Sequence, residues 1–290
     1  MKPARLWRVF LLPAFFLPAF LGACKSPPSP LPAAVEESPA SRLDFDHVEG
    51  RSVRDVSLFF TLKLSNPRSL PFRTALKDWK AELDGEVPGE GAASLHVEDA
   101  LVRPGEDAEI PVRLDLDLSK CPVSDAASLA ARLTISVVYL FAEGPESSGT
   151  VSAGTVVARI REPVFTITSI AILQAELVNT RFRVNLRIDN PNFFPVDLSS
   201  FGYELYGEGR FWADGEERDV LHIPARSSGE RRLFLLMNFI NMKRSLLDEV
   251  IAMNMVRYRF RGEARVGTGV EYLPLFDMVF DHSGLSKVFK

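Results

Sequence analysis

The 290-residue chain contains only two cysteines, Cys24 and Cys121, and four histidines. Two cysteines exclude a framework of several disulfides, so a folded chain of this length depends on its hydrophobic core. The histidines lie far apart and none has the i, i+4 spacing beside a carboxylate that is typical of helical metal sites. They are His47, His96, His222 and His282. We therefore expect no metal site.

Catalytic motifs are missing as well. The sequence has no glycine-rich phosphate loop, no G-x-S-x-G and no cysteine cluster, so we expect a non-catalytic protein without a cofactor. Cys121 has no base close to it in sequence, which favours a half-buried small hydrophobic side chain over a nucleophile. Asp115 and Asp117 alternate along a predicted strand. Such pairs belong to solvated strands more often than to calcium or glycosidase sites.

The only long apolar run, Val9–Ala23, follows Lys2, Arg5 and Arg8 at the N-terminus. It is shorter than the roughly 20 residues of a spanning helix and contains two prolines, so residues 1–23 are predicted to be a secretory signal. The run ends in LGAC, which resembles the bacterial lipobox. That resemblance implies fatty acylation, such as palmitate, on Cys24 and anchoring to a membrane of the bacterial cell envelope. The alternative is a plain signal peptide and a freely secreted protein.

The predicted mature chain is acidic and begins with a stalk. Removal of residues 1–23 takes away three positive and no negative charges, so the formal net charge changes from −4 to −7. A mildly acidic protein is a poor partner for nucleic acid. Residues 24–41 are rich in proline and serine, a composition that favours an extended stalk over a packed core.

An internal repeat dominates the rest of the chain. Val56–Phe72 aligns without gaps on Thr180–Val196, 124 positions later, and each segment alternates apolar and polar residues before an Asn-Pro-x-x-x-Pro turn. The alternation predicts half-buried strands. The turn residues are Asn66, Pro67 and Pro71 in the first segment and Asn190, Pro191 and Pro195 in the second. We expect two tandem modules, residues 42–162 and 163–290, joined at REPVF.

Further correspondences follow the turns. LHV at Leu95–Val97 is aligned with LHI at Leu221–Ile223, which makes His96 and His222 equivalent and predicts a shared structural role. PGE (residues 104–106) is aligned with SGE (residues 228–230). Helical patterns at Ser124–Leu133 and Asn241–Asn254 predict one short helix per module. Strands with frequent turn signals around them predict an all-β sandwich.

The second segment, IDNPNFFPVDLSSFGYELYGEG followed by IPARSSGERRLFL, resembles the late embryogenesis abundant group 2 family, which includes the WHy (water stress and hypersensitive response) domain. The first segment departs from the pattern, because Arg68 stands where the second asparagine is expected. The resemblance implies two immunoglobulin- or fibronectin-III-like sandwiches. It also implies a role in stress tolerance, and some relatives are thought to hold lipid in a groove.

Aromatic residues crowd into the second segment, and four of them are candidates for a ligand or partner surface: Phe193, Phe194, Phe211 and Trp212. Most aromatic residues there are expected in the core, but Phe193 and Phe194 share one turn and cannot easily both point inward. An exposed apolar patch marks a lipid, ligand or protein surface. The sequence therefore favours a non-catalytic envelope lipoprotein with a protective or binding role. The alternatives are a carrier of lipid or another apolar ligand and a scaffold for another envelope protein.

Overall fold

The computed structural model describes residues 38–121, 125–174, 180–237, 252 and 255–289. The predicted signal, Cys24 and nearly all of the predicted stalk lie outside these residues. Residues 37–290 form one compact unit. Among the described residues, no helix has the length and apolar character needed to cross a membrane.

The described chain is built almost entirely of strands, as the alternating sequence pattern predicts. The first half contains β1 (Ala40–Gly50), β2 (Asp55–Ser65), β3 (Phe72–Leu83), β4 (Ala93–Val97), β5 (Leu101–Val102), β6 (Asp107–Asp117), a 3-10 turn (Leu118–Lys120), β7 (Ser128–Phe141) and β8 (Ser147–Ala158). The second half contains β9 (Val164–Gln174), β10 (Thr180–Asp189), β11 (Val196–Gly207), β12 (Arg210–Glu217), β13 (Leu221–Ile223), β14 (Ser228–Met237), β15 (Met255–Gly267) and β16 (Leu275–Phe289).

The first half folds into two four-stranded sheets, in the orders β1-β2-β6-β4 and β5-β3-β7-β8. Alternate side chains of both sheets are buried because successive side chains of a strand point to opposite faces. The resulting core includes Leu58, Phe60, Leu114, Leu133 and Tyr139.

The second half forms one eight-stranded sheet, β12-β11-β15-β16-β9-β10-β14, with β13 paired to β11. The last residues of β16, Lys287–Phe289, run parallel to Ser169–Ala171 of β9 and so join strands that remain separate in the first half. The core of this half is rich in rings, including Phe165, Tyr203 and Phe260.

The same pairings recur in both halves. Strand β2 lies between β1 and β6, and β10 lies between β9 and β14. Strand β3 pairs with β7 and β5, and β11 pairs with β15 and β13. One difference follows the third strand: β4 pairs with β6, whereas β12 stays beside β11.

The helix expected over Ser124–Leu133 is wrong, because Ser128–Phe141 is strand β7. Leu129, Ala131, Leu133 and Ile135 are all buried, which is a period of two along the chain. Pairing with β3 and β8 on both sides outweighs the local helix preference of alanine and leucine. The second expected helix, Asn241–Asn254, lies outside the described residues except for Ala252.

The two halves meet at one end of their strands. The backbone N–H of Gly50 donates to the carbonyl of Tyr272 (2.9 Å), and the Tyr272 hydroxyl donates to the carbonyl of Ala158 (2.5 Å). Beside this junction, Arg54 forms an ion pair (3.7 Å) with Glu162 of the connecting segment. Burial raises the pKa of Tyr272 to about 12, because a phenolate loses solvation there.

Candidate functional site at the Asn-Pro turns

Each Asn-Pro turn encloses a buried asparagine. Asn66 and Asn190 follow directly after β2 and β10, and their side chains are 1% and 2% exposed. The proline after each asparagine has no N–H and cannot continue a ladder, so the strand ends there. A buried amide must have partners for both its donor and its acceptor atoms.

Asn66 finds those partners in nearby backbone. Its Nδ2 donates to the carbonyls of Leu70 (2.9 Å) and Val102 (3.2 Å). Its Oδ1 accepts the backbone N–H of Arg68 (3.1 Å). The side chain thereby ties the end of β2 to the turn and to β5.

Asn190 makes a larger set of contacts. Its Nδ2 donates to the carbonyls of Phe194 (2.9 Å), Ile223 (3.2 Å) and Pro224 (3.0 Å). Its Oδ1 accepts both the backbone N–H (2.9 Å) and the Nδ2 (3.0 Å) of Asn192. Five polar partners therefore surround one buried amide, and because Nδ2 has two protons for three carbonyls, one of its N–H groups is shared.

Asn192 extends this network to the segment that joins the two halves. Its Oδ1 accepts the backbone N–H of Arg161 (2.7 Å) and its Nδ2 donates to the Arg161 carbonyl (2.8 Å). We call this pair of bonds the Asn192 clasp. In the sequence, Asn192 is visible only as the second asparagine of the turn motif, and nothing nearby indicates its contact with Arg161. The position of Arg68 at the matching place in the first half was the available signal that the two turns differ.

The strand after each turn corrects the alignment of the histidines. Phe72 pairs with Val102, and Val196 pairs with Ile223. The next residues pair in the same way: Arg73 lies opposite Leu101, and Asp197 lies opposite His222. In the repeat, His222 therefore corresponds to Leu101. The equivalence predicted between His96 and His222 is therefore wrong.

The loop that follows β5 and β13 supports the corrected alignment. Gly105 and Arg226 both have positive φ, 69° and 52°. If Val102 corresponds to Ile223, then Gly105 corresponds to Arg226. The sequence alignment of PGE with SGE is therefore three residues out of register with the structure. Insertions before β5 hid the true register from sequence comparison.

The histidines make separate local contacts with carboxylates. His96 Nε2 lies 3.0 Å from Asp115, and His222 Nδ1 lies 2.7 Å from Asp197. Asp115 also accepts the Ser57 hydroxyl (2.6 Å). Among the described residues, no group of three or more His, Cys, Asp or Glu side chains could hold a metal ion.

The other residues considered as chemical groups also have structural partners. The Asp117 carboxylate accepts hydrogen bonds from Ser119 and forms an ion pair with Lys120. These contacts hold the pKa of its carboxyl below the usual value. The thiol of Cys121 lies 3.5 Å from the Asp117 carbonyl. Burial raises the pKa of Cys121, and a thiol with a raised pKa is a weaker nucleophile at neutral pH.

The four candidate aromatic side chains do not form one surface. Phe193 is 52% exposed, and the Arg226 guanidinium lies 3.8 Å from its ring centroid. Phe194 is half-buried against the core of the second half. Phe211 is 49% exposed and meets the ring of Tyr206 edge-on (5.6 Å).

Trp212 is buried, with 3% of its surface exposed, so its assignment to an exposed surface is wrong. Its ring stacks on Phe182 at 5.7 Å. Gly207 lies directly over the ring, and a Cβ at that position would overlap it. The glycine makes the space that allows a tryptophan to turn inward.

The residues 185–275, which include the Asn190 turn and the Asn192 side chain, match the family model LEA_2, described as late embryogenesis abundant protein. The match covers less than half of the chain. It supports a relationship of this segment to the family and a stress-related or binding role. A search of curated proteins finds no match.

Solved structures resemble the chain only distantly. A protein from Archaeoglobus fulgidus is 13% identical over 44% of this chain and 96% of its own, with a TM-score of 0.26. Red sea bream transglutaminase is 10% identical over 86% of this chain and 31% of its own, with a TM-score of 0.26. The periplasmic chaperone SfaE is 9% identical over 87% of this chain and 99% of its own, with a TM-score of 0.24.

Proposed function

We propose that the protein is a non-catalytic lipoprotein of the bacterial cell envelope that has a stress-protective or binding role at a membrane surface. The observation that carries the proposal is the family match over residues 185–275, which contains the buried Asn190 and its partners. The proposed anchor is the acylated Cys24, and the proposed stalk, residues 24–41, separates it from the folded strands.

We further propose that the chain carries two copies of one LEA-2/WHy-like sandwich module, residues 42–162 and 163–290. Support comes from the two buried asparagines, which bond to the same three places: the N–H two residues later in the turn, the carbonyl at its exit and the third strand that follows. The repeated strand pairings also support it. On this proposal the parallel pairing of β9 and β16 is a modification that belongs to the second copy.

The structure of the core favours binding on an outer surface over carriage inside the module. Phe165 stacks on Phe280 with ring centroids 4.3 Å apart, and Phe260 lies 5.2 Å from Phe280. Tyr203 lies 5.4 Å from Phe260. These rings pack against one another in the core of the second half, where a lipid chain carried inside the module would have to lie.

The anchor is tested by growing cells that express the full chain with a radiolabelled fatty acid. We expect label on the wild-type protein and none on Cys24→Ser, with wild type in the membrane fraction. An unlabelled wild type, or equal labelling of the variant, would refute the anchor.

The protective role is tested on the membrane itself. Dye-loaded vesicles carrying the lipidated protein are dried and rehydrated, and the released dye is measured. We expect less leakage than with an equal mass of serum albumin. Leakage equal to that with albumin would contradict a protective role and leave binding as the remaining part of the proposal.

A further inference from the structure

One end of the second half's sheet carries cationic and apolar side chains side by side on its outer face. The cations are Arg181 and Arg183 of β10, Arg232 of β14 and Lys287 of β16. The apolar side chains are Phe234 and Leu236 of β14 and Leu285 and Phe289 of β16. We call these eight side chains the cationic-apolar face.

Strand register places these side chains in adjoining rows. Phe289 lies opposite Ala171, Ala171 opposite Arg183, and Arg183 opposite Phe234. Because neighbouring strands are about 4.8 Å apart, this row spans about 14 Å.

The flanking rows have the same mixed character. The row on one side runs across four strands. Its members are, in order, Lys287, Ser169, Asn185 and Arg232. On the other side, Arg181 lies opposite Leu236. Arg181 and Arg183 on β10 therefore lie directly beside Leu236 and Phe234 on β14, and Lys287 lies between Leu285 and Phe289 on the outer face of β16.

The apolar members are well exposed, although side chains of this size are usually buried. Phe234 is 69% exposed, Leu285 64%, Leu236 61% and Phe289 52%. The inward residues beside Phe234 and Leu236, Leu233 and Leu235, are buried in the core, and Ser286 beside Leu285 is 1% exposed. The exposure is thus a property of one face of the sheet.

The cations of this face form no ion pair with any described residue. Farther along β15 the pattern is different, since Arg259 pairs with Asp281, Arg261 with Glu204 and Arg265 with Asp277. At the border of the face, the Glu208 carboxylate accepts the backbone N–H of Arg257 (2.7 Å). Within the part of the chain that the structure describes, positive charge is therefore paired along β15 and unpaired on the cationic-apolar face.

We propose that the cationic-apolar face docks on an anionic lipid surface. A protein interface collects its apolar groups in the centre and surrounds them with a polar rim. Here each apolar side chain has a cation beside it. That arrangement suits a membrane interface, where apolar groups enter the boundary between headgroups and acyl chains and arginine and lysine extend to the phosphates.

The location of the face agrees with an accessible docking surface. It consists of the start of β10 and the ends of β14 and β16, whereas the first half contacts the opposite ends of these strands, near Asn192 and Tyr272. The inference goes beyond the proposed lipid anchor, because it concerns a second contact made by different residues. It can hold whether or not Cys24 is acylated.

The test uses residues 24–290 with Cys24→Ser, which lack the cationic and apolar signal segment, fixed to beads by a tag placed before residue 24, and dye-labelled vesicles. The vesicles contain phosphatidylcholine alone or with about one third phosphatidylglycerol. We expect strong capture of the anionic vesicles, weakened by salt. Removal of two cations in Arg181→Gln/Lys287→Gln should weaken their binding about 25-fold, since each cation near the surface contributes about five-fold.

Matched variants separate this face from general charge and hydrophobicity. Arg73→Gln/Lys77→Gln removes two exposed cations from β3 and should leave capture unchanged. Leu236→Ser should weaken capture several-fold, whereas Val220→Ser, at a position of similar exposure (62%), should not. Circular dichroism melting confirms that each variant is folded.

Three results would overturn the inference. One is equal capture of neutral and anionic vesicles, and another is an equal loss in the β3 control. The third is a sedimenting dimer that Arg181→Gln/Lys287→Gln converts to monomer, because the face would then be an interface between copies. All of these experiments use an unacylated chain. A failure here therefore overturns the docking inference alone, and the lipid anchor is judged only by the fatty acid labelling test.

Discussion

Replacing Asn190 by alanine should destabilise the second half far more than a surface substitution would. The side chain is 2% exposed and makes about four hydrogen bonds, two through its N–H protons, which serve three carbonyls, and two accepted by Oδ1. Each hydrogen bond contributes about 1 kcal/mol net to the free energy of unfolding. Backbone groups that are left buried without a partner cost more than that, but water that enters the vacated space recovers part of the loss. We expect a loss of about 3 to 4 kcal/mol in the free energy of unfolding, which is large for a single substitution.

Urea unfolding followed by circular dichroism measures this loss. The urea midpoint should fall while the denaturant slope stays constant, because the surface exposed on unfolding is unchanged. If the two halves unfold in separate steps, one step should move and the other should stay. Asn190→Asp should not rescue stability, since an oxygen would then face the carbonyls of Phe194, Ile223 and Pro224.

A matched asparagine provides the control. Asn185 lies on the same strand and its side chain donates one hydrogen bond, to the Ser169 hydroxyl (2.6 Å). Asn185→Ala should cost about 1 kcal/mol or less. If Asn190→Ala costs no more than this control, the turn is not held by its buried amide and the reasoning is refuted.

Three further outcomes follow from other contacts. Asn192→Ala removes both bonds to the Arg161 backbone, so trypsin should cut after Arg161 about 30-fold faster while more distant sites are unaffected. The pKa of Tyr272 is about 12 in the folded protein and about 10 when unfolded. The contribution of its neutral, buried phenol to the free energy of unfolding is therefore complete below pH 10 and is lost as the pH rises to about 12. The urea midpoint of wild type should therefore fall more steeply over that range than that of Tyr272→Phe. Gly207→Ala should cost about 3 kcal/mol in a urea titration because the Cβ overlaps the Trp212 ring, whereas Gly202→Ala on the same strand meets open space and should be nearly neutral.

The strands and the sharp turns could be predicted from the sequence because their causes are local. Leu58, Phe60, Leu62 and Leu64 alternate with more polar residues and are all buried in β2. The asparagine and proline after the strand fix where it ends. Period and turn chemistry are both visible within a few residues.

Contacts between distant segments could not be predicted in the same way. The segment at Ser128 has helix-forming residues, and only its pairing with β3 and β8 makes it a strand. Trp212 is inward because Gly207 makes room for it across the hairpin. The cationic-apolar face takes its members from three strands of the sheet, so it is defined by register and is not contiguous in the sequence.

The Asn192 clasp has a consequence for which residues the connecting segment can hold. Both of its bonds go to the main chain of residue 161, an N–H and a carbonyl that every amino acid except proline offers. The turn therefore accepts almost any side chain in the connecting segment. Any substitution of Arg161 except proline should therefore leave this attachment of the turn to the connecting segment intact.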